Sequence, residues 1–490
     1  MSGTWPLYST HAARALDARA TQALGGDPYV LMQRAGLSAW QQVLLHWPEA
    51  HRIVVVCGPG SNGGDGYVLA RHAHRAGRHV EVVHLPVHVP GNPVAQRACT
   101  EYVAGGGQVT LFGDVLPRAD IVVDALFGIG LSRAPETDVR ALIDAINAQA
   151  APVFSLDVPS GVDADRGCAP GVAVLATRTL QFIARHAGLY TGDALEYTGV
   201  LAMEYLDVPA DAFDGAVTSG VLLDHDALAR WLLPRRRNTH KGESGHVLCI
   251  GGDEGGGGAI ALCAEAALRA GAGLVSVATR PSHVPALLAR RPEAMVRAVE
   301  STDELTPLLE RARVVALGPG MGQGEWGSAL FRCAMRSGKP KVLDADALNL
   351  LAMSPQALED AILTPHPGEA ARLLDCTTAD VQQDRFSAAR AIAQRYACAV
   401  VLKGAGTVVA APGEVARVLD AGNPGMAVGG MGDVLTGVIA ALRAQGLSAF
   451  DAASAGALLH SLAGDAAAWD GQRGLLPSDL FAHLRRLANP

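Results

Sequence analysis

The sequence predicts two α/β domains, each built on a mostly parallel sheet with helices on both faces. Two observations carry this expectation. Short apolar runs alternate with helical patterns in two separate series, as βαβ units require. Glycine-rich segments follow several of those runs directly, as at the strand-to-helix turns of open α/β sheets. At 490 residues, 49% of them hydrophobic, the chain can fill full-sized cores and is too long for one ordinary domain.

In the first series, residues 53–57 (IVVVC) read as a buried strand. A glycine-rich turn, Gly58 to Gly66, follows at once, then a helix over 67–76. Further strands are expected at 80–84, 121–126 and 153–157. The second series starts at 246–251, with a helix over 259–271 and a strand near 273–279. Strands at 314–317, 341–343 and 398–402 follow. Residues 406–410 and 415–419 flank an Ala-Pro-Gly-Glu turn and read as a hairpin. Helices close the chain at 433–444, 450–468 and 479–488. The intervening stretch 207–245 holds Pro209, Pro234 and the run Arg235–Arg237, which reads as solvated surface. A boundary within 215–222 gives domains 1–218 and 219–490. No sequence repeat relates them.

Acidic residues outnumber basic ones by 48 to 40, which argues against a broad nucleic-acid surface. It leaves room for phosphate ligands at a helix N-terminus. Only four lysines occur (Lys241, Lys339, Lys341, Lys403), and two of them fall in glycine-rich motifs. The eight cysteines show no C-x-x-C pair and no metal-site spacing. The N-terminus lacks the basic flank and apolar core of a signal peptide, and no apolar run reaches the ~18 residues that span a bilayer. These features predict a soluble, cytoplasmic protein without a membrane partner.

The turn Cys57-Gly58-Pro59-Gly60-Ser61-Asn62-Gly63-Gly64-Asp65-Gly66 joins a strand to a helix, where backbone N–H groups can hold an anion. It lacks the P-loop pattern and the G-x-G-x-x-G spacing, so alone it reads equally well as a tight turn. Two more strand ends add to it. Residues 121–133 (IVVDALFGIGLSR) carry Asp124, and 156–163 (LDVPSGVD) carry Asp157 and Ser160. Taken singly, each Asp is an ordinary turn or cap residue. At successive strand ends, Asn62, Asp124, Asp157 and Ser160 can converge into an all-oxygen set suited to a hard cation.

The segments SNGGDG, DALFGIGLSR and DVPSGVDADRG, with Leu31–Gly36, resemble the NAD(P)H-hydrate epimerase domain over roughly residues 1–215. The resemblance implies a Rossmann-like three-layer α/β/α fold and a bound potassium ion held by Asn62, Asp124 and Ser160. It implies substrate contacts from Ser61, Asn62, Gly63, Gly64 and Asp65, and from Gly128, Ile129, Gly130, Leu131, Ser132, Arg133 and Ala134. Asp157 would handle the proton while R and S epimers interconvert. One departure stands out: His186 occupies the place of a usual lysine, with Arg185 beside it. A cation needed there at neutral pH would be Arg185.

In the second half, the motifs are His240–Gly245, Gly318-Pro319-Gly320-Met321-Gly322, Thr364-Pro365-His366-Pro367-Gly368-Glu369 and Gly429-Gly430-Met431-Gly432-Asp433. The last opens a helix, and its N–H groups make an anion hole. An Asp in that first turn can take a proton from an attacking hydroxyl, although an isolated G-x-G-D is as often a plain cap. Lys403-Gly404-Ala405-Gly406-Thr407 follows the strand AVVL and suits a nucleotide. Glu369 suits a hydrated magnesium ion.

Together with DADALNLL, TPHPGEAARLL and GNPGMAVGGMGDVLTG, these motifs resemble the ADP/ATP-dependent NAD(P)H-hydrate dehydratase domain, a ribokinase-like fold, over about 222–490. The resemblance implies substrate contacts from Ala259, Gly322, His366 and Asp433, with Asp433 as catalytic base. It implies nucleotide contacts from Lys403, Gly404, Ala405, Gly406, Thr407 and Gly432. Val428 and Met431 stand where small hydroxyl residues are usual, so the anion hole is backbone only. The implied cofactors are K+ in the first half and Mg2+ with ADP or ATP in the second. The implied small-molecule partners are NADHX, NADPHX and ADP, in a homo-oligomer, often a tetramer. Two other readings remain: a ribokinase-like vitamin-precursor kinase, and a dehydratase whose epimerase-like domain is silent.

Overall fold

In the computed structural model, residues 3–130 and 133–489 are described. They form two compact units, Pro6–Gly220, and Val221 onward together with the N-terminal residues through Trp5. No described helix is long and apolar enough to cross a membrane.

The N-terminal unit holds a seven-stranded sheet, parallel throughout. Its order is Gln108–Leu111, His79–His84, Arg52–Cys57, Ile121–Ala125, Val153–Leu156, Arg178–Phe182, Val200–Glu204. Side chains alternate along the central strand: Ile53, Val55 and Cys57 join one apolar cluster, while Val54 and Val56 join another. Both faces are therefore dry, and the strand must be apolar at every position.

The expected helix over 67–76 begins six residues earlier. It spans Ser61–Arg75, so most of the glycine-rich turn is helix. The glycines are there for close approach: a Cβ on Gly63 would lie 2.0 Å from the Gly58 carbonyl oxygen, and one on Gly66 would lie 2.6 Å from Ala125 Cβ. The sequence signal for a loop was the absence of side chains, and the same absence lets the helix lie against the sheet.

The C-terminal unit holds seven parallel strands in the order Met295–Ala298, Leu274–Thr279, His246–Ile250, Val314–Leu317, Lys341–Leu343, Ala361–Leu363, Ala399–Leu402. Val408–Ala410 and Arg417–Leu419 then add as an antiparallel hairpin, and Gly220–Leu223 pairs parallel to the latter. Val247 and Cys249 pack with residues of the helices Gly257–Arg269, Met431–Ala444 and Ala449–Ala467. Two of these helices nearly touch, because a Cβ on Gly437 would come 2.1 Å from the Cys263 carbonyl oxygen.

Candidate active sites

In the N-terminal unit the strand ends converge as the sequence suggests. Asp124 is fully buried. Its Oδ1 accepts from Ser160 Oγ (2.6 Å) and the Leu126 amide (3.2 Å), and its Oδ2 from Ser155 Oγ (2.8 Å) and the Ser160 amide (2.9 Å). Burial still pushes its carboxyl up against these donors. Asn62 donates Nδ2 to the Leu156 carbonyl at 3.1 Å, and its Oδ1 is buried without a hydrogen-bond partner. A buried carbonyl oxygen without a donor carries a desolvation cost that a ligand at this helix start would relieve. The donor set of Asn62, Asp124 and Ser160 is all oxygen, which suits potassium.

Asp157 sits in the left-handed region at φ 65°, which turns its side chain out of the strand it follows. Its Oδ1 meets His186 Nε2 at 2.9 Å. Its Oδ2 faces Gly128, where a Cβ would stand 2.7 Å away and 3.6 Å from Asn62 Cβ. Gly128, Asn62 and Asp157 thus share one spot. His186 is 1% exposed, and its other nitrogen, Nδ1, has no hydrogen-bond partner. Arg185 instead donates to the Tyr205 hydroxyl and lies over its ring.

Two more carboxylates face Asp157. Burial, then Asp157 and Asp17, hold the Asp65 carboxyl well above its usual range. Asp17, exposed on the helix Thr10–Ala23, is raised by desolvation and by Asp157, against His186 and Arg14, less strongly than a buried carboxyl would be because water reaches it. Nothing in the sequence singles out Asp17, because its neighbours here come from distant segments. Ser61 and Gly64 lie in the first turns of their helix, whose N-cap has no side-chain hydrogen bond. Ile129 packs on the Leu16–Ala35 apolar cluster and the Gly130 amide donates to Gly128. Arg133 pairs with Glu136 at 3.0 Å in solvent, and Ala134 lies beside Gly171, so neither is brought to Asp157. Leu131 and Ser132 lie outside the described residues.

In the C-terminal unit the helix Met431–Ala444 starts behind Gly430 at φ 98°, again with no side-chain cap. Asp433 lies in its first turn. Burial and Asp344 push the Asp433 carboxyl up to about 7, Lys403 pulls it down, and Asp346 adds to the rise. A Cβ on Gly432 would come 3.1 Å from Lys403 Nζ. Burial disfavours the Lys403 ammonium, but Asp344 and Glu369 outweigh it, so the lysine stays charged. The loop it opens is tight: Gly404 and Gly406 have φ 130° and 60°, and Thr407 Oγ1 donates to the Gly404 carbonyl at 3.0 Å. Beneath it the fully buried Arg385 donates to the carbonyls of Leu402 and Lys403. Arg385 carried no sequence signal, because it acts through backbone carbonyls.

His366 caps the helix Pro367–Leu374: its Nδ1 accepts from the Gly368 amide at 3.0 Å, while Glu369 returns a bond to the His366 amide at 2.8 Å. Burial and Lys403 lower the His366 imidazolium. Its Nδ1 is an acceptor, so the ring's proton sits on Nε2. Gly322 (φ 69°) donates its amide to Asp346 at 2.8 Å. Ala259 lies against Gly320, with 3.2 Å between its Cβ and one placed on that glycine. Asp346 thus accepts from Gly322 and also raises Asp433 by its charge. Among the described residues no group of three or more His, Cys, Asp and Glu is arranged to hold a metal ion.

The comparisons with known proteins follow the same division. Residues 247–486 match the family model for NAD(P)H-hydrate dehydratase, and residues 28–188 match that for the YjeF-related protein N-terminus. The bifunctional NAD(P)H-hydrate repair enzyme Nnr of Coxiella burnetii is 46% identical over 99% of both chains. Its Escherichia coli counterpart is 46% identical over 96% of this chain and 92% of its own. Among solved structures, a ribokinase-like superfamily protein of Enterococcus faecalis is 31% identical with a TM-score of 0.52, covering 55% of this chain and 96% of that one. Matched end to end by such relatives, and with both domain models in the same order, the chain belongs to the family of bifunctional NAD(P)H-hydrate repair enzymes.

Proposed function

We propose that the unit Pro6–Gly220 epimerises the R and S hydrates of NADH and NADPH, and that the C-terminal unit dehydrates the S form at the expense of ADP. One observation carries the second half: an aspartate pushed up to about 7 stands at an open helix N-terminus beside a buried ammonium. That is a base and an anion site in one turn.

Asp433 takes the proton of the ring hydroxyl, whose oxygen bonds to the terminal phosphorus of ADP as AMP leaves. The C–O bond then breaks, with the ring nitrogen's lone pair expelling phosphate. Loss of a ring proton restores the double bond and gives NAD(P)H. Lys403 and the amides around Gly432 hold the phosphate, and Gly404–Thr407 hold the nucleotide. His366 and Gly322, with Ala259, line the substrate side. When bound, a Mg2+ ion would supply positive charge against the nucleotide's phosphates. Glu369, whose carboxyl burial pushes up, offers it an oxygen donor.

In the first unit Asp157 handles the proton and His186 orients it, while the segments Ser61 to Asp65 and Gly128 to Gly130 line the substrate side. Asn62, Asp124 and Ser160 hold potassium, which supplies fixed positive charge beside a buried carboxylate. The same reading makes the protein a cytoplasmic homo-oligomer.

The test is recovery of NADH absorbance from mixed R and S hydrates with ADP and Mg2+. The whole pool should return. Asp157→Ala should limit recovery to the S fraction, beyond slow uncatalysed epimerisation, and Asp433→Ala should abolish it. No recovery with either ADP or ATP sinks the dehydratase reading. Recovery of the S fraction alone by the unmutated chain sinks the epimerase reading.

A further inference from the structure

Asp344 follows the strand Lys341–Leu343 and is 2% exposed. A carboxylate so buried is tolerated only when its oxygens are bonded. Oδ1 accepts from Lys403 Nζ at 2.8 Å and from Thr364 Oγ1 at 2.9 Å, and Oδ2 accepts from Thr436 Oγ1 at 2.9 Å. These partners come from three other places. Thr364 follows the strand Ala361–Leu363, Lys403 follows Ala399–Leu402, and Thr436 lies three residues beyond Asp433 in the helix that carries it. One carboxylate therefore joins three adjacent parallel strand ends to the helix of the anion hole. The residue after it, Ala345, is held at φ 46°, so the turn that aims Asp344 inward is itself strained.

The consequence falls on the lysine. An ammonium has three N–H donors. One goes to Asp344, and Glu369 Oε2 lies within 3.7 Å of the same nitrogen. The nitrogen also stands 3.1 Å from where a Cβ on Gly432 would be, and Asp344 Oδ2 stands 3.2 Å from that point. Both charges thus lie against the backbone at Gly432, at the near limit of contact with an added methyl group. Without Asp344 the ammonium's nearest carboxylate is Glu369, which is not among the atoms nearest a Cβ on Gly432.

We propose that Asp344 is a positioning residue of the dehydratase centre: it fixes the Lys403 ammonium against Gly432, so that the remaining donor faces the phosphate of the bound nucleotide. The inference rests on the dehydratase reading for its reaction, but its geometry applies to any nucleotide phosphate bound there. Asp344 also acts on the base electrostatically. Its negative charge helps hold the Asp433 carboxyl up, while Lys403 works the other way. Removing the charge lowers that carboxyl, which a purely structural role would not do.

The experiment compares the full-length chain with Asp344→Asn and Thr436→Val. ADP with Mg2+ is titrated by calorimetry, and the pH profile of kcat is recorded. Folding is checked by circular dichroism and thermal melting. Asp344→Asn keeps the shape but loses the charge and one acceptor, so the threonine facing the new amide must turn its hydroxyl to accept. Folded, it should bind ADP ~10-fold or more weakly, and the acid limb of its kcat profile should move to lower pH. Thr436→Val should weaken ADP binding in the same direction by less. A folded Asp344→Asn chain that binds ADP as tightly as the unmutated one, with the acid limb unmoved, overturns the proposal. If Asp344→Asn does not fold, Thr436→Val decides, and unaltered ADP affinity overturns it. An unmutated chain that binds ADP but restores no NADH sinks the dehydratase reading, while the affinity comparison still tests Asp344. An unmutated chain that binds neither ADP nor ATP removes both.

Discussion

His186 Nε2 lies 2.9 Å from Asp157 Oδ1, and that imidazole is 1% exposed. The carboxylate's other oxygen faces Gly128, where a Cβ would stand 3.6 Å from Asn62 Cβ at the start of the helix Ser61–Arg75. An aspartate in the left-handed region with one oxygen tied back to a buried ring is held in a single orientation. His186→Ala should therefore cost epimerase activity on the order of 10²-fold, because Asp157 loses its partner beside Asp17 and Asp65. Dehydration of pure S hydrate should be unchanged. His186→Gln can keep a bond to Asp157 and should recover part of the loss. Rates of R-to-S conversion, coupled to excess dehydratase, check this; an His186→Ala chain that epimerises normally removes His186 from the site.

Potassium should act through Asn62. Its Oδ1 is buried and unpartnered, a cost that a bound cation would relieve. A ligand that binds only the native state raises the melting temperature with its concentration. Melting in KCl should exceed that in tetramethylammonium chloride at equal ionic strength, with a saturable dependence on K+. Asn62→Ala should abolish the difference. Equal melting in both salts for the unmutated chain would remove potassium from the site.

How far the sequence carried the reading depends on what each feature depends on. Parallel strands buried on both faces, such as Arg52–Cys57, are continuous apolar runs and announce themselves. Gln108–Leu111 is mostly exposed at a sheet edge and carries no such run. Arg178–Phe182 is interrupted by Arg178, Thr179 and Gln181, and Val200–Glu204, though mostly apolar, is a short strand at the other sheet edge with no fully buried position; the sequence reading passed over all three. In the sites, motif residues such as Asn62, Asp157, Lys403 and Asp433 were visible because glycines surround them. Asp17, Asp344 and Arg385 were not assigned roles, since each acts on partners far along the chain. Asp344 lies 59 residues from Lys403 and 92 from Thr436, and no local pattern encodes such distances.

Two glycine substitutions should separate packing from binding. Gly63→Ala puts a Cβ 2.0 Å from a backbone carbonyl oxygen that cannot give way. It should destabilise the chain by about 1–3 kcal/mol, the usual range for overpacking. Gly432→Ala meets only the flexible end of Lys403 at 3.1 Å and the Asp344 carboxylate at 3.2 Å. Alanine also favours a helix by up to ~1 kcal/mol over glycine, so stability should hold. ADP affinity should nonetheless fall, because the methyl group fills the space where the phosphate and the ammonium meet. Denaturant melts and calorimetric ADP titrations check both; a destabilised Gly432→Ala chain with normal ADP affinity would contradict the second.

Asp433 should show activity and stability moving in opposite directions with pH. Its carboxyl is pushed up to about 7, against about 3.9 for an aspartate in an unfolded chain. Between those values the folded chain holds a proton that the unfolded chain has released. Stability from this group is therefore fully present at low pH and is lost as pH rises through about 7. Catalysis needs the ionised form, so kcat for dehydration should rise with pH over that same interval. Asp433→Asn should lower kcat by roughly 10²–10⁴-fold. It should also raise the melting temperature at pH 8 and leave it nearly unaltered at pH 4, where the unmutated residue is already protonated in the fold. Paired melts at the two pH values, with kcat measured across the interval, check the sign. A variant less stable than the unmutated chain at pH 8 would mean that Asp433 serves the fold, as an ordinary first-turn carboxylate does, and is not held in tension for the reaction.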